Sequence, residues 1–443
     1  MYQHKWFAFF LLPLFLMFLF ASIPADLSLQ PSRDSCSFVS PSKEDMEGAI
    51  WNKTYGGPLW DQCFDMIEVS TGGFAMTGFT GSPWASGGGI LWLVRTDSQG
   101  NQLWNRTYTT NVSWGHSLLE CDDGGFIVAG KLVNDQPRVW VLRTDANGNH
   151  LWNHTYGGTQ PAVGWVVSEL IECDEGGYAI FGTGPDSNPL NNSDYYLVRI
   201  DTDGNLLWNY TYDHGWRDSP ALRGVVQCSD GGFVIVGYTR DVQWQSPYSD
   251  IWLVRTDADG RPLWNMTYGG AEAEFPNDIL KVDSDYIIVY QVAVTGGETR
   301  VIRVDDEGNV AINRKTGSAN CFSMIQCSNG GFAMVGSITE EEDLYGYFVR
   351  TDDEINPFWE QTYNRSRRDE ISTIIECSDG GFAMAGITEV DWEAGDFDFW
   401  LLRVADPGPP PPPVELPIGW IAVGVGVPVA LIAIVALWRT KRR

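Results

Sequence analysis

Short apolar runs recur along the chain, each closed by a turn rich in Asp and Gly. Ile371 to Cys377 is one such run, and Ser378-Asp-Gly-Gly381 follows it. Asp-Gly supplies the φ > 0 positions of a hairpin turn, so Phe382 to Thr388 is expected to return beside the first strand. A longer connection leads to a third run, Phe399 to Val404. In earlier units a second tight turn, Ala146-Asn-Gly-Asn149 or Thr202-Asp-Gly-Asn205, leads to a fourth strand that opens on Trp. The pattern predicts four strands per unit, with two tight and two loose connections, and no helix of useful length.

Three signatures carry the repetition. The first is W-N-x-T-Y, at Trp51–Tyr55, Trp104–Tyr108, Trp152–Tyr156, Trp208–Tyr212 and Trp264–Tyr268, with degenerate copies starting at Ile312 and Trp359. The second is D-G-G followed by an aromatic: Phe74, Phe126, Tyr178, Phe233, Tyr286, Phe332 and Phe382. The third is L-V-R-T-D, with Arg95, Arg143, Arg199, Arg255, Arg303, Arg350 and Arg403 spaced by 48, 56, 56, 48, 47 and 53 residues. That period is the size of a four-stranded propeller blade. The first W-N-x-T-Y strand has no R-T-D strand before it, and the last R-T-D strand has no W-N-x-T-Y after it. Pairing these two orphans closes a ring and removes a free sheet edge. The expected fold is all-β: a seven-bladed β-propeller over residues 48–406. An open solenoid is the rival, but it would need capping repeats.

These repeats resemble the tryptophan-rich propeller repeats of archaeal and bacterial surface proteins. They are similar, more distantly, to quinoprotein-type propeller repeats, in which an Asp-x-x-x-Gly turn precedes a strand with Trp. The resemblance covers the whole region between the two ends. It implies the fold and not a function, since one fold hosts many functions.

The two ends of the chain read differently. Residues 1–25 look like a signal peptide: Lys5, the apolar run Trp6 to Phe20, then small residues to Ala25. An uncleaved signal anchor is the alternative. Residues 26–47 form a linker. Residues 407–416 hold the run Pro407-Gly-Pro-Pro-Pro-Pro-Pro413, a stiff polyproline stalk. Residues 417–438 carry no charge, and 22 residues of helix span about 33 Å, enough for a transmembrane helix. The basic tail 439–443 marks the cytoplasmic side. A Pro-Gly element, an apolar span and a basic end also resemble archaeal cell-surface sorting tails. The expectation is a single-pass cell membrane protein with an extracellular ectodomain.

Charge sharpens that expectation. The chain holds 57 acidic and 29 basic residues, a net charge of −28. Lys5, Arg439, Lys441, Arg442 and Arg443 lie outside the ectodomain, which leaves it at −33. A surface of that sign excludes nucleic acid as a partner and suits a soluble, self-repelling external domain.

Features repeated in every unit are best read as framework. A Trp ring buries about 150–250 Å², enough to explain its recurrence. Arg and Asp of R-T-D are two apart on a strand, and an ion pair tying strand to turn is the simple expectation. Asp201-Thr-Asp203-Gly204 and Asp257-Ala-Asp259-Gly260 begin like calcium loops but lack the later acidic ligands, so a hairpin turn is favoured and no metal is expected. Cys121, Cys173, Cys228, Cys327 and Cys377 share one repeat position and read as buried small side chains. Cys36, Cys63 and Cys321 fall off that position and could pair in some combination. Sequons stand at Asn52, Asn105, Asn111, Asn153, Asn191, Asn209, Asn265 and Asn364. They are either glycosylation sites or the solvent face of the outer strands.

Variable connections on a rigid scaffold are where binding is expected. Those connections carry Trp60, Trp114, Trp165 and Trp216, with His116, His214 and Asp218 close by. Flat aromatics among acids and amides would suit a glycan or a peptide. The alternative is that the rings wedge between blades. No nucleophile, phosphate or metalloprotease motif occurs, and no cofactor is implied. Three functions remain open: a non-catalytic binding module for a glycan, polymer or protein; a carbohydrate-active hydrolase or lyase using loop carboxylates; and a structural envelope component.

Overall fold

The computed structural model describes residues 46, 48–81, 88–133, 137–157, 167–184, 193–214, 217–240, 248–294, 297–391 and 394–408. The signal, most of the linker and stalk, the apolar C-terminal stretch, Cys36, Trp165, Trp216 and Asn191 lie outside these residues. The described chain is all strand and turn. Strand β1 (Ala49–Tyr55) precedes the sheet β2 (Gln62–Glu68), β3 (Phe74–Thr80), β4 (Ile90–Thr96), β5 (Gln102–Thr107). The next is β6 (Val112–Glu120), β7 (Phe126–Val133), β8 (Pro137–Thr144), β9 (His150–Tyr156). Then come β10 (Val167–Glu172), β11 (Tyr178–Gly184), β12 (Asp194–Ile200), β13 (Leu206–Tyr212). An eight-stranded sheet follows. Its halves are β14 (Arg217–Gln227), β15 (Phe233–Arg240), β16 (Asp250–Thr256), β17 (Pro262–Tyr268) and β18 (Glu274–Val282), β19 (Asp285–Val292), β20 (Glu298–Val304), β21 (Val310–Gly317). A single parallel bridge, Arg223 to Asp278, joins them. Next is β22 (Asn320–Gln326), β23 (Phe332–Glu340), β24 (Asp343–Thr351), β25 (Pro357–Tyr363). The last sheet is β26 (Asp369–Glu376), β27 (Phe382–Asp391), β28 (Asp396–Val404), completed by β1.

Every four-stranded unit is antiparallel throughout, and neighbouring units stack through their apolar faces. This is the arrangement of a β-propeller. The end-to-end closure expected from the repeat phase is present: Trp51 pairs with Arg403 and Tyr55 with Phe399. Tyr55, Phe74, Met76 and Trp92 then pack on Ala383, Phe399 and Leu401 of the last sheet. Large side chains buried this way contribute about 1.5–3 kcal/mol each.

The signatures prove to be devices for docking one sheet on the next. In five junctions the Tyr of the outer strand donates its hydroxyl to a turn Gly carbonyl of the following sheet, among them Tyr55 to Gly100, Tyr156 to Gly204 and Tyr212 to Gly260, each at 2.6 Å. The outer-strand Trp lies on that same Gly. A Cβ on Gly100 would fall 2.7 Å from the Trp51 ring, and the residue has φ 73°, so both space and conformation require glycine. At the D-G-G turns, Glu120 accepts from the Ser70 amide and hydroxyl, and Glu376 and Glu68 do the same for Ser328 and Ser378.

Two expectations are corrected. Arg and Asp of R-T-D do not pair with each other. The strand ends at Thr, so Asp97 sits in the turn, where it accepts the amides of Gln99 and Asn101. Asp201 and Asp257 do the same, closing hairpins as expected. The arginines reach the D-G-G turn instead: Arg143 meets Asp123 at 2.5 Å, Arg255 meets Asp230 at 2.7 Å and Arg303 meets Asp285 at 2.6 Å. The two turn aspartates Asp123 and Asp230 are more than half exposed, so those pairs are worth at most about 1 kcal/mol. Nor are Cys63 and Cys321 off-pattern. Each is a free, buried thiol eleven residues before its D-G-G aromatic, and each pairs across to a Gly of the second strand, Gly78 or Gly336.

Candidate functional site

The innermost strands share an irregularity that builds a site on the axis. Their pairing with the second strand slips by one residue, leaving Phe64, His116, Ser168, Asn277, Phe322 and Ser372 without cross-strand partners. In β14 the slip is longer and spans residues 221–224. Such bulges re-aim the residues beside them. Next to the bulge stand Asp65, Ser117, Glu169, Asp278, Ser323 and Thr373, which line a cavity of about 560 Å³ together with Arg223.

These polar side chains also hold neighbouring strands together. Asp65 accepts the Leu118 amide at 2.9 Å, and Ser117 the Leu170 amide at 3.1 Å. Glu169 accepts the Val225 amide at 2.9 Å, and Asp278 the Met324 amide at 2.7 Å. A buried backbone amide needs such a partner. Around the axis, four sheets thus supply a side chain for the next one's backbone.

The fourth sheet breaks this pattern. Gly224 stands where the others carry a polar side chain, and the bulged Arg223 fills the space. Its Nη2 reaches Asp65 Oδ1 at 3.0 Å, close to the Phe64 carbonyl at 3.4 Å. Burial opposes the guanidinium charge, but Asp65, Asp278 and Glu169 outweigh it and raise its pKa. Burial, reinforced by Asp278, pushes Glu169 up to about 8. Burial pushes Asp278 up to about 7 against the pull of Arg223. Three carboxyl groups and one arginine therefore share the axis, and two of the carboxyls hold protons near neutral pH.

The predicted binding residues fall in several places. His116 is a bulge residue. Its ring stacks on Phe64, with centroids 4.9 Å apart and planes 14° from parallel. Burial, then the Lys131 charge, push its pKa down to about 3, so the imidazole is neutral. Its Nδ1 is buried without a hydrogen-bond partner among the described residues. Trp114 is buried, with Phe79 on one side and the Lys131 ammonium 5.2 Å from its ring centre. Trp60 lies 4.8 Å from the Phe397 ring. Both Trp rings wedge between sheets and offer a ligand little surface. His214 is exposed, and its amide donates to Asp218 Oδ2 at 2.8 Å, while Asp218 itself is buried. The structure brings His116 and Trp114 together but does not join them to His214.

Asn105, Asn111, Asn153, Asn209 and Asn265 are exposed, whereas Asn52 and Asn364 are half-buried. Asn153 and Asn265 also accept the indole N–H of Trp140 and Trp252, which is a structural reason for amides there.

Sequence reasoning missed Asp65, Glu169, Arg223 and Asp278. The available signal was a polar residue inside an otherwise apolar inner run, eight to ten residues ahead of the repeat aromatic.

No protein-family model and no curated protein sequence matches the chain. Solved structures resemble it at low identity. A protein of unknown function from Dyadobacter fermentans is 10% identical with a TM-score of 0.48, over 81% of this chain and 100% of its own. The periplasmic gluconolactonase of Pseudomonas aeruginosa is 12% identical with a TM-score of 0.46, over 69% of this chain and 86% of its own. The sialidase of Trypanosoma rangeli, in complex with the inhibitor DANA, is 10% identical with a TM-score of 0.43, over 69% and 56%. All three scores lie below one half, and nothing about the site follows from them.

Proposed function

We propose that this chain is a single-pass membrane protein whose extracellular part is a seven-bladed β-propeller of the tryptophan-rich repeat kind. It acts as a non-catalytic binding module for a glycan, polymer or protein. One observation carries the non-catalytic part. Asp65, Glu169 and Asp278 each commit an oxygen to a backbone amide of the neighbouring sheet. Each carboxyl is thereby tied into the contact between two sheets, which supports a framework role for it. These groups hold the ring together, which leaves binding to the variable connections between strands.

A second reading is a carbohydrate-active hydrolase. The raised Glu169 and Asp278 carboxyls favour it, since an acid catalyst needs such a pKa. Full-length protein incubated with a polysaccharide panel, scored for retention and for new reducing ends, separates the two. Retention without reducing ends is expected. New reducing ends that disappear in Glu169→Gln would overturn the binding reading. Anchoring is tested separately: alkaline carbonate should leave the chain in the membrane pellet, and external protease should remove everything ahead of the stalk.

A further inference from the structure

A carboxylate cluster stands where the β10–β13 sheet meets the β14–β17 sheet. Asp194 opens β12, Asp213 follows β13 and Asp218 lies in β14. One oxygen from each lies within 4.8 Å of the others. Part of this cluster is framework. Asp194 shares its repeat position, five residues before the R-T-D arginine, with Asp250 and Asp398. Asp218 shares its position, six residues after the outer-strand Tyr, with Asp61, Glu274 and Asp369.

Two features set this junction apart. The sister junctions carry Gly after the Tyr, packed against the carboxylate: a Cβ on Gly56 would fall 1.8 Å from Asp398 Oδ1, and one on Gly269 2.0 Å from Asp250 Oδ1. Here that residue is Asp213, which adds a third acid to an existing pair. The second feature is Asp218 Oδ1. Its counterpart in Asp369 accepts the Ser366 and Thr388 hydroxyls at 2.8 and 2.6 Å, and that of Asp61 accepts the Gly81 amide at 3.1 Å. Asp218 is 0% exposed, yet its Oδ1 has no hydrogen-bond partner among the described residues. The Thr239 hydroxyl, which replaces Thr388, faces this carboxylate and lies 3.5 Å from His214 Nδ1.

A buried carboxylate oxygen without a donor, beside two further carboxylates, is costly unless a proton or a cation neutralises it. The donors are all hard oxygens, which selects calcium or magnesium over softer metals. Calcium accepts oxygen ligands in a flexible geometry, whereas magnesium demands a near-ideal octahedron and dehydrates reluctantly. We propose that Asp194, Asp213 and Asp218 bind a calcium ion, with water completing its shell. The ion pins the end of β13 to the starts of β12 and β14.

The test is thermal unfolding of the full-length chain in detergent, after EDTA treatment, over a calcium chloride series with magnesium chloride in parallel. Calcium should raise the Tm with half-effect at about 10⁻⁴–10⁻³ M, the range of extracellular calcium modules. Magnesium should be at least tenfold less effective. Asp213→Asn should move the calcium midpoint up at least tenfold, with its calcium-free Tm unchanged because Asp213 is exposed. Should that variant not fold, Asp213→Gly restores the residue of the sister junctions and must behave alike. No rise with calcium, or a wild-type response in either Asp213 variant, overturns the site.

Discussion

Exchanging Ile312 and Ile355 for the residues of the other repeats tests whether the sheets dock by mutual fit. In four junctions an outer-strand Trp lies on a turn Gly: Trp51 on Gly100, Trp104 on Gly148, Trp152 on Gly204 and Trp208 on Gly260. A Cβ on any of these glycines would fall 2.6–2.8 Å from the ring. Between β21 and the β24–β25 turn both partners change together. Ile312 stands in the Trp position, and Ile355 in the Gly position, 1% exposed with φ 65°. The two belong to one apolar cluster with Met324 and Phe332. Holding a β-branched residue in the left-handed region costs about 1–2 kcal/mol. Its buried side chain is worth about 2–5 kcal/mol. Ile355→Gly should therefore lose about 1–3 kcal/mol. Ile312→Trp should lose about 1–3 kcal/mol by overpacking against Ile355. Independent effects would add to about 2–6 kcal/mol. Mutual fit places the double variant within about 1 kcal/mol of the parent, a coupling of about 2–4 kcal/mol. Urea unfolding of the full-length chain and the three variants, followed by Trp fluorescence, measures it. A coupling below about 0.5 kcal/mol would refute the idea that the residues at Trp and Gly positions are chosen together.

Other predictions concern the axis and the thiols. Arg223→Met leaves Asp65, Glu169 and Asp278 without a counter-charge, and should cost about 3 kcal/mol at pH 8 and less at pH 5, read from Tm at each pH. The raised Glu169 and Asp278 carboxyls mean that the folded chain keeps protons the unfolded chain releases. Their contribution is complete below about pH 4 and is lost as pH rises through 7 and 8, so Tm should fall over that window and flatten in Glu169→Gln/Asp278→Asn. Tyr156→Phe removes the hydroxyl that reaches Gly204 and should cost about 1 kcal/mol in urea unfolding. Cys63 and Cys321 should resist a thiol reagent in the folded protein and react after unfolding; labelling of either in the native state would contradict their burial.

Much of the framework was legible because repetition multiplies weak signals. One D-G-G turn predicts little, but its recurrence ahead of an aromatic at a blade-sized period fixes the meander and its phase. The closing pair β1 and β28 followed from that phase alone. Bond partners were less legible. The R-T-D ion pair was inferred from strand alternation, which fails once the strand stops at Thr and the Asp enters the turn. Cys63 and Cys321 looked irregular because they were counted against a position six residues nearer the aromatic than their own. The axial groups were hidden for another reason: a bulge changes which residues face the axis, and single-strand periodicity carries no record of a bulge. Arg223 reaches Asp65 from a position far away in sequence.

Departures from the repeat sort themselves by whether a second departure answers them. Ile355 breaks the rule that a turn residue with positive φ is Gly, and Ile312 answers it across the junction by giving up the Trp. Arg223 breaks the ring of small polar and acidic side chains, and it is answered on both sides: Gly224 yields the space, and Asp65, Glu169 and Asp278 supply the charge. Compensated changes of this kind preserve the fold and need no ligand. Asp213 is different. It adds a negative group to a pair already close together, next to an oxygen of Asp218 that lacks the donors its counterparts have. The calcium ion proposed for this junction would supply the answering charge.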